Sequence, residues 1–539
     1  MRLWAGLCAV IVASTVVGAQ DRSAPGRDSI REQDLEGDIR FLASERLGGR
    51  LTNTEGNERA TDFIAARFRR HRLSPPADGS FFQRFDLMTT ALGEDNALVL
   101  EGVDQTYRLG GDFFPDPSSA SGAASGPVVF VGFGIDAPRL DHNDYTSADL
   151  TGKVALILSH EPGEFDPDSP FEGRRRSEDA RVVRKVLAAQ RHGAVAVLIA
   201  ADAHNHAARQ KFTRSMPQLW PTFPPRVPRY TLAQWLGQVE IPVLQISTDV
   251  TATLVGPDHT LGDLGRAAET AGGTEAVSLA GARVDVRATV RRTAIPNRNV
   301  VGLIEGSDPE LKDEWILLTA HLDHEGEVNG RIFRGADDNA SGVAGLIEIA
   351  GAYALAADQG VRPRRSVLFA AWNSEEQGLL GAWSYTEAPL HPLEQTVAVL
   401  NMDMIGNDEE VPPTGGPRFV GLRPQTAESN RNAVNLLGYS RSPDLQAATE
   451  RANRATDLDL RFRYDQNRSN LLQRSDQWPF LYREVPALFV HTGLHPAYHT
   501  ERDVPETLNY EKMTRVVQLV YQLSWDLAQA DDRPAYVAP

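Results

Sequence analysis

Cysteine is all but missing: Cys8 is the single thiol in 539 residues, so no disulfide can form within the chain, and beyond residue 8 no thiolate is on hand to bind a metal. Positive charge is also in deficit. Lys and Arg number 55 against 72 Asp and Glu, a formal net charge of −17, which repels a phosphate backbone and sets nucleic acid aside as a partner. The sequence has no His-Glu-x-x-His helix and no Gly-x-Ser-x-Gly elbow, so single-zinc proteases of that type and serine hydrolases lack their signatures. Nor does any segment beyond the first twenty residues read as long and apolar enough to span a bilayer. There is no internal repeat, and the one biased tract, Ser118 to Gly126, reads as a loop.

What is present is ordinary globular usage: 41% hydrophobic, 24% charged, 44 Gly and 33 Pro, in a length that allows two or three domains. Residues 1–19 read as an export signal, with Arg2 as the basic start, Leu3 to Val17 as the apolar stretch and Val17-Gly18-Ala19 as the cleavage site. The expectation is a secreted or periplasmic protein without a stable membrane anchor after cleavage. The oligomeric state is not legible.

From Ser29 to about Phe85 the pattern reads as helical, with Ala60, Phe63, Ile64 and Phe68 on one face and Pro75-Pro76 as the stop. Residues 20–94 would form the first part of the main domain. Short β-like runs then take over: Pro127–Val131, Lys153–Leu158, Val195–Ile199 and Pro242–Ile246. One helix interrupts them, capped by Ser177, with Val182, Val183, Val186 and Leu187 as its apolar face and Gly193 past its end. This reads as a β-rich inserted domain over 95–275, bounded near Ala271–Thr274. From 276 to 530 strands and helices alternate, the pattern of an α/β fold with a mixed, mostly parallel central sheet flanked by helices, and 531–539 is a tail. Trp315–Ala320, Val367–Ala371, Val397–Leu400 and Ala487–Val490 are continuous apolar runs, as in strands buried on both faces.

The residues just past each run carry the chemistry. The four runs lead into His321-Leu-Asp323, Asn-Ser-Glu375-Glu376, Asn-Met-Asp403 and a loop with His499, and an acidic loop, Gly335-Ala-Asp-Asp338-Asn-Ala-Ser-Gly342, opens the Val343 helix. Loops at the carboxyl ends of parallel strands converge on one crevice. Two imidazoles with three carboxylates are too much negative charge to bury without a cation. Nitrogen and oxygen donors suit zinc, and five exceed the three protein ligands of the usual one-metal catalytic site, so a carboxylate shared between two ions fits the count. Of the paired Glu375 and Glu376, one can bind metal while the other acts as general base. Asp323 is placed to accept the second N–H of His321. Singly, each motif has a plainer reading as a surface pair or a solvated helix face. Four strand-end motifs in one sheet do not. Gly132-Phe-Gly-Ile-Asp-Ala137 mimics a dinucleotide fingerprint but lacks the helix that must come next, and His204-Asn-His206 reads as an exposed connector.

The set Ala-His321-Leu-Asp323, Gly-Ala-Asp-Asp338-Asn-Ala-Ser-Gly342, Asn-Ser-Glu375-Glu376-Gln-Gly, Asn-Met-Asp403-Met-Ile-Gly406 and Tyr-His499-Thr resembles the co-catalytic dizinc aminopeptidases of metallopeptidase family twenty-eight. Phe41–Ser44 through Arg50 and Gly56–Ala60 resemble that family's amino-terminal helices. Val129–Gly134, Asp144-Tyr145 and Gly152–Val154 make the insert similar to a protease-associated domain. The resemblance implies a zinc-exopeptidase fold and two Zn2+ ions. Asp338 would bridge them, with a cis peptide to Asn339; His321 and Asp403 would hold one ion and Glu376 and His499 the other, with Glu375 as base and Asp323 orienting His321. The implied activity is removal of amino-terminal residues from peptides through a metal-activated water. Related possibilities are a carboxypeptidase of the glutamate carboxypeptidase type, for which Arg331, Arg334 or Arg474 would bind the substrate carboxylate, a glutaminyl cyclase, and an inactive receptor-like relative. Gln477 stands where the family often has His, and Leu471-Leu472 where some members have Tyr.

Overall fold

The computed structural model describes residues 23–538 except 77–78, 172, 174–175, 208–210, 213–215 and 222–224. The expected signal, residues 1–19, lies outside the described residues.

The four apolar runs form the parallel centre of a nine-stranded mixed sheet. Trp315–His321 lies between Ser366–Trp372 and Thr396–Met402, parallel to both, and Ala487–His491 runs parallel to Thr396–Met402 on the far side. Antiparallel strands extend both flanks, Val290–Ile304 and Phe82–Leu92 on one and Ala433–Leu437 on the other. Alternate side chains of the central strands enter two apolar layers. Ile316, Leu318, Phe369 and Leu400 pack under the helices Glu32–Leu42, Glu55–Arg70, Gly342–Asp358 and Tyr510–Gln529. Leu317, Leu368, Trp372 and Val399 face the opposite layer, with Trp383 and Phe480. Burial on both faces is why these strands lack polar alternation.

The amino-terminal region is not helical throughout. Two helices, Glu32–Leu42 and Glu55–Arg70, are present, and the second buries Ala60, Ile64 and Phe68, while Phe63 stacks on Phe41 at 4.1 Å. Residues 82–92 are instead a strand, held by an antiparallel ladder to 290–304 that begins at Phe82↔Val300 and ends at Leu92↔Val290. Long-range pairing overrides the local helical pattern there.

A second sheet of seven strands holds the inserted segment. Its centre is also parallel: Gly122–Phe130, Val154–Leu158, Ala196–Ala200 and Val243–Ile246. The Val182–Arg191 helix makes the crossover between the second and third of these. Ser177 does not cap that helix, because Arg181 holds the N-cap position and the Ser177 hydroxyl donates to Glu161. Two further expectations change. The Ser118–Gly126 tract is partly strand, since Gly122–Phe130 begins inside it. The second sheet also continues past residue 275, because Val277–Ala288 pairs with both Gly122–Phe130 and Ala97–Leu100, and the chain returns to the first sheet at Val290. The two sheets are laced together as well: Thr231–Leu232, from within the insert, pairs with Leu87 and Met88 of the first sheet.

Among the described residues one helical run, Ala336–Asp358, is long and apolar enough to cross a membrane, contrary to the expectation from sequence, and most of it is buried within the protein. Its apolarity serves the core, where Val343, Leu346, Ile347 and Tyr353 are buried.

Candidate active site

Most of the chemistry-bearing residues sit at or just past the end of a buried strand. His321 closes its strand, Glu375 and Glu376 follow Trp372, Asp403 follows Met402, and Asp338 lies in the Ala336–Ser341 turn that enters the Gly342–Asp358 helix. His499 comes from the loop beyond His491. Several of these loops need uncommon backbone: Ser374, Met404 and His499 have φ of 64°, 56° and 52°, and the Asp338–Asn339 peptide is cis.

The structure brings all five expected ligands together around Asp338. Its Oδ1 lies 3.2 Å from His321 Nε2, which is also 3.3 Å from Asp403 Oδ1. Its Oδ2 lies 3.0 Å from His499 Nε2, which is also 3.3 Å from Glu376 Oε2. One carboxylate therefore presents one oxygen to each of two donor sets. Donor atoms spaced about 3 Å apart suit cations bound at ~2.0–2.2 Å by nitrogen and oxygen, the ligand chemistry of zinc. Arg50 is fully buried beside them, and burial pulls its pKa down to about 10.

The paired glutamates occupy different fields. Burial pushes the Glu375 carboxyl well above its ordinary range, with Glu376, Asp476 and Asp403 adding to the effect against His321. Burial acts on Glu376 too, but His499 and His324 hold its carboxyl below the usual value. Asp338 is likewise held low against burial by His324, His321 and His499.

Asp323 is placed differently from expectation. His321 Nδ1 donates to the Asp323 backbone carbonyl at 3.2 Å, while the carboxylate is 4.0 Å away. That carboxylate instead accepts the backbone N–H of Glu375 at 2.9 Å and of Glu376 at 3.3 Å. Main chain suffices to set the imidazole tautomer, which leaves the side chain to fix the glutamate loop.

Several contributors were not singled out from sequence. Arg50 donates to the carbonyls of Leu42, Leu322, Arg334 and Gly335 at 2.7–2.9 Å, tying the His321 strand end to the acidic loop. Asp503 accepts from the backbone of Asp337 and Asp338 at 2.8 and 3.1 Å. His324 Nδ1 donates to Glu376 Oε1 at 2.8 Å. Arg50 and Asp503 act on backbone groups, which no motif displays. His324 and Tyr498 lie one residue from residues already identified, the one available signal. Ser475 donates to Asp403 Oδ2 at 2.6 Å. Gln477, where the family often has His, is inaccessible and accepts from Asn401 at 3.2 Å, inside the protein.

A pocket opens over the donor sets, walled by Leu471, Arg474, Phe489 and Tyr498. Arg474 Nη2 donates to the Tyr498 hydroxyl at 2.9 Å. Arg331 and Arg334 do not line it; they pair with Glu501 and Glu45. His204-Asn-His206 is not a wholly exposed connector either, because His206 Nε2 lies 2.6 Å from Glu164 in a half-buried cluster.

A model of Peptidase family M28 matches residues 299–524, which take in every donor just described. This segment is an M28 peptidase domain. Among curated proteins, this chain is similar to mouse Aminopeptidase NAALADL1, 37% identical over 128 residues, 23% of this chain and 16% of that protein. A probable zinc metalloprotease of Pyrenophora tritici-repentis is 26% identical over 267 residues, 44% of this chain and 58% of that one. A probable glutamate carboxypeptidase, AMP1 of Arabidopsis thaliana, is 30% identical over 213 residues, 38% and 26% of the two chains. The chain thus matches between 16% and 58% of these relatives' lengths. Among solved structures, an aminopeptidase from Aneurinibacillus sp. strain AM-1 aligns over 95% of this chain and 97% of its own, at 18% identity and a TM-score of 0.46.

Proposed function

We propose that the protein is an exported zinc aminopeptidase whose M28 domain holds two ions, one on each side of Asp338. The observation that carries this reading is the division of Asp338: Oδ1 meets His321 and Asp403, Oδ2 meets His499 and Glu376. Zinc bound there supplies Lewis acidity toward the scissile carbonyl and lowers the pKa of an attacking water. Glu375, with a donor atom within 4.8 Å of those of His321 and Asp403, takes the water's proton and passes it to the leaving amine. Asp323 holds the Glu375–Glu376 backbone, and Arg50 fixes the loops behind it. The leader at 1–19 directs export, and the second sheet is a protease-associated domain.

The carboxylates of Asp338, Glu375, Glu376 and Asp403 favour a protonated substrate amine beside the metals. Peptides with a free amino terminus and an amidated carboxyl end should be cleaved, and acetylated ones should not. Uptake should vary with pH near the α-amine pKa of ~7.7–8.0. A second reading, a carboxypeptidase, draws on one observation: Arg474 lines the pocket together with Tyr498, to which it donates. Cleavage of acetylated peptides with a free carboxylate, lost in Arg474→Gln, would favour it over the first. Metal analysis giving one ion or none in a fully active enzyme would remove the dinuclear assignment.

A further inference from the structure

The second sheet repeats, on a smaller scale, the arrangement that builds the M28 centre. Val154–Leu158 and Ala196–Ala200 are adjacent parallel strands, and the loops leaving their carboxyl ends meet, as such loops do in open α/β sheets. The first loop carries His160 and Glu164, the second His206. His160 Nδ1 lies 3.0 Å from Glu164 Oε1, and His206 Nε2 lies 2.6 Å from Glu164 Oε2. The two imidazoles stack with centroids 4.0 Å apart, and one donor atom from each of the three residues falls within 4.8 Å of the others.

We infer that His160, Glu164 and His206 form a binding site for a transition-metal dication such as Zn2+, separate from the peptidase centre. Two protonated rings stacked face to face would repel each other, whereas one cation satisfies both nitrogens and the shared carboxylate. Two imidazoles and a carboxylate are a standard three-ligand zinc set with an open fourth position. The side chains are 14–29% exposed, so an ion can enter and keep a solvent ligand.

The loops carrying these ligands are braced from behind, as metal ligands require. The buried Lys185 ammonium donates to the carbonyls of His160 and Leu158, holding His160 in a left-handed conformation with φ of 69°. Glu269 accepts from the Gly163 backbone and from the Asn205 side chain, both at 2.6 Å, joining the two loops. Asp202 accepts from the His204 backbone at 3.1 Å and from the Asn205 side chain at 3.0 Å. None of these contacts involves the peptidase donors, so the site can be occupied whether or not those are.

The test is metal content per chain after removal of metal by chelator, reloading with Zn2+ and desalting. The full chain should retain one zinc more than Glu164→Gln and one more than the His160→Ala/His206→Ala double variant, with kcat unchanged. Repeating the comparison in a His321→Ala/His499→Ala background separates this site from the peptidase centre. There about one equivalent should remain, and Co2+ loading should give visible absorption that Glu164→Gln abolishes. Equal metal content in that background with and without Glu164→Gln, the chain being folded by circular dichroism, would reduce the trio to an ion pair and overturn the inference. The near-isosteric Glu164→Gln keeps the test decisive if the double alanine variant does not fold.

Discussion

Two neighbouring glutamates are set to different tasks by what each faces. Glu376 meets His499 and His324, so its ionised form is favoured, as a ligand requires; Glu375 is buried among other carboxylates, and its proton affinity rises. Glu375→Gln should keep the metals and lower kcat at least ~10²-fold, the scale of a general base. Glu376→Ala should instead lose metal. Metal analysis alongside steady-state kinetics checks both, and the reverse pattern would exchange the roles. A different carboxylate reports on stability. Glu348, on the helix under the sheet, has its pKa raised to about 7, chiefly by burial and then by Asp34 and Asp38. An unfolded glutamate titrates near 4.5, so between there and about pH 7 the folded state binds more protons and stability falls as pH rises. Glu348→Gln should remove that slope and raise Tm above pH 7, as thermal melts across pH 4–8 would read.

The acidic loop shows how an element, rather than a residue, sets the site. Gly335 turns the chain with φ of 56°, and a Cβ there would lie 2.1 Å from the Asp338 carbonyl oxygen and 2.6 Å from the His324 ring. Gly335→Ala should cost at least ~1–3 kcal/mol and reduce bound metal. Gly330→Ala is the matching control, with φ of 75° but open space around the added carbon; it should keep the metal, so that paired melts and metal analyses separate collision from backbone strain. The four buried strands and the residues at their ends were legible because burial on both faces leaves continuous apolar runs, and the break into His, Asp or Glu marks where each strand leaves the core. The strand at 82–92 was not, since its conformation comes from a partner some two hundred residues away. Arg50 was not either: it acts on four carbonyl oxygens, and carbonyls leave no trace in a pattern of side chains. The Asp323 contact was misplaced for the same reason, because a backbone oxygen serves His321 as well as a carboxylate would.

At the scale of the whole molecule, the two sheets meet through specific contacts rather than through a linker. Trp235 packs on Trp383 with ring centroids 5.9 Å apart and donates to Glu387 at 3.1 Å. Tyr482 of the peptidase side donates to Asp179 of the insert at 2.9 Å. Arg226 binds the Glu325 carboxylate at 2.9 Å, beside a cleft that Glu376 also borders. The insert therefore forms one wall of a cleft that reaches Glu376.

The Thr231–Leu232 rung carries this further. Because the insert hands two residues back to the first sheet before completing its own, the chain is stitched: it passes from the first sheet to the second, touches the first again at Thr231–Leu232, re-enters the second and returns to the first at Val290. A bead on a string can be cut away or melt alone; a stitched fabric cannot be unpicked at one seam without loosening the next. Calorimetry should record a single endotherm for both sheets, and a chain cleaved once within the insert should still travel as one particle.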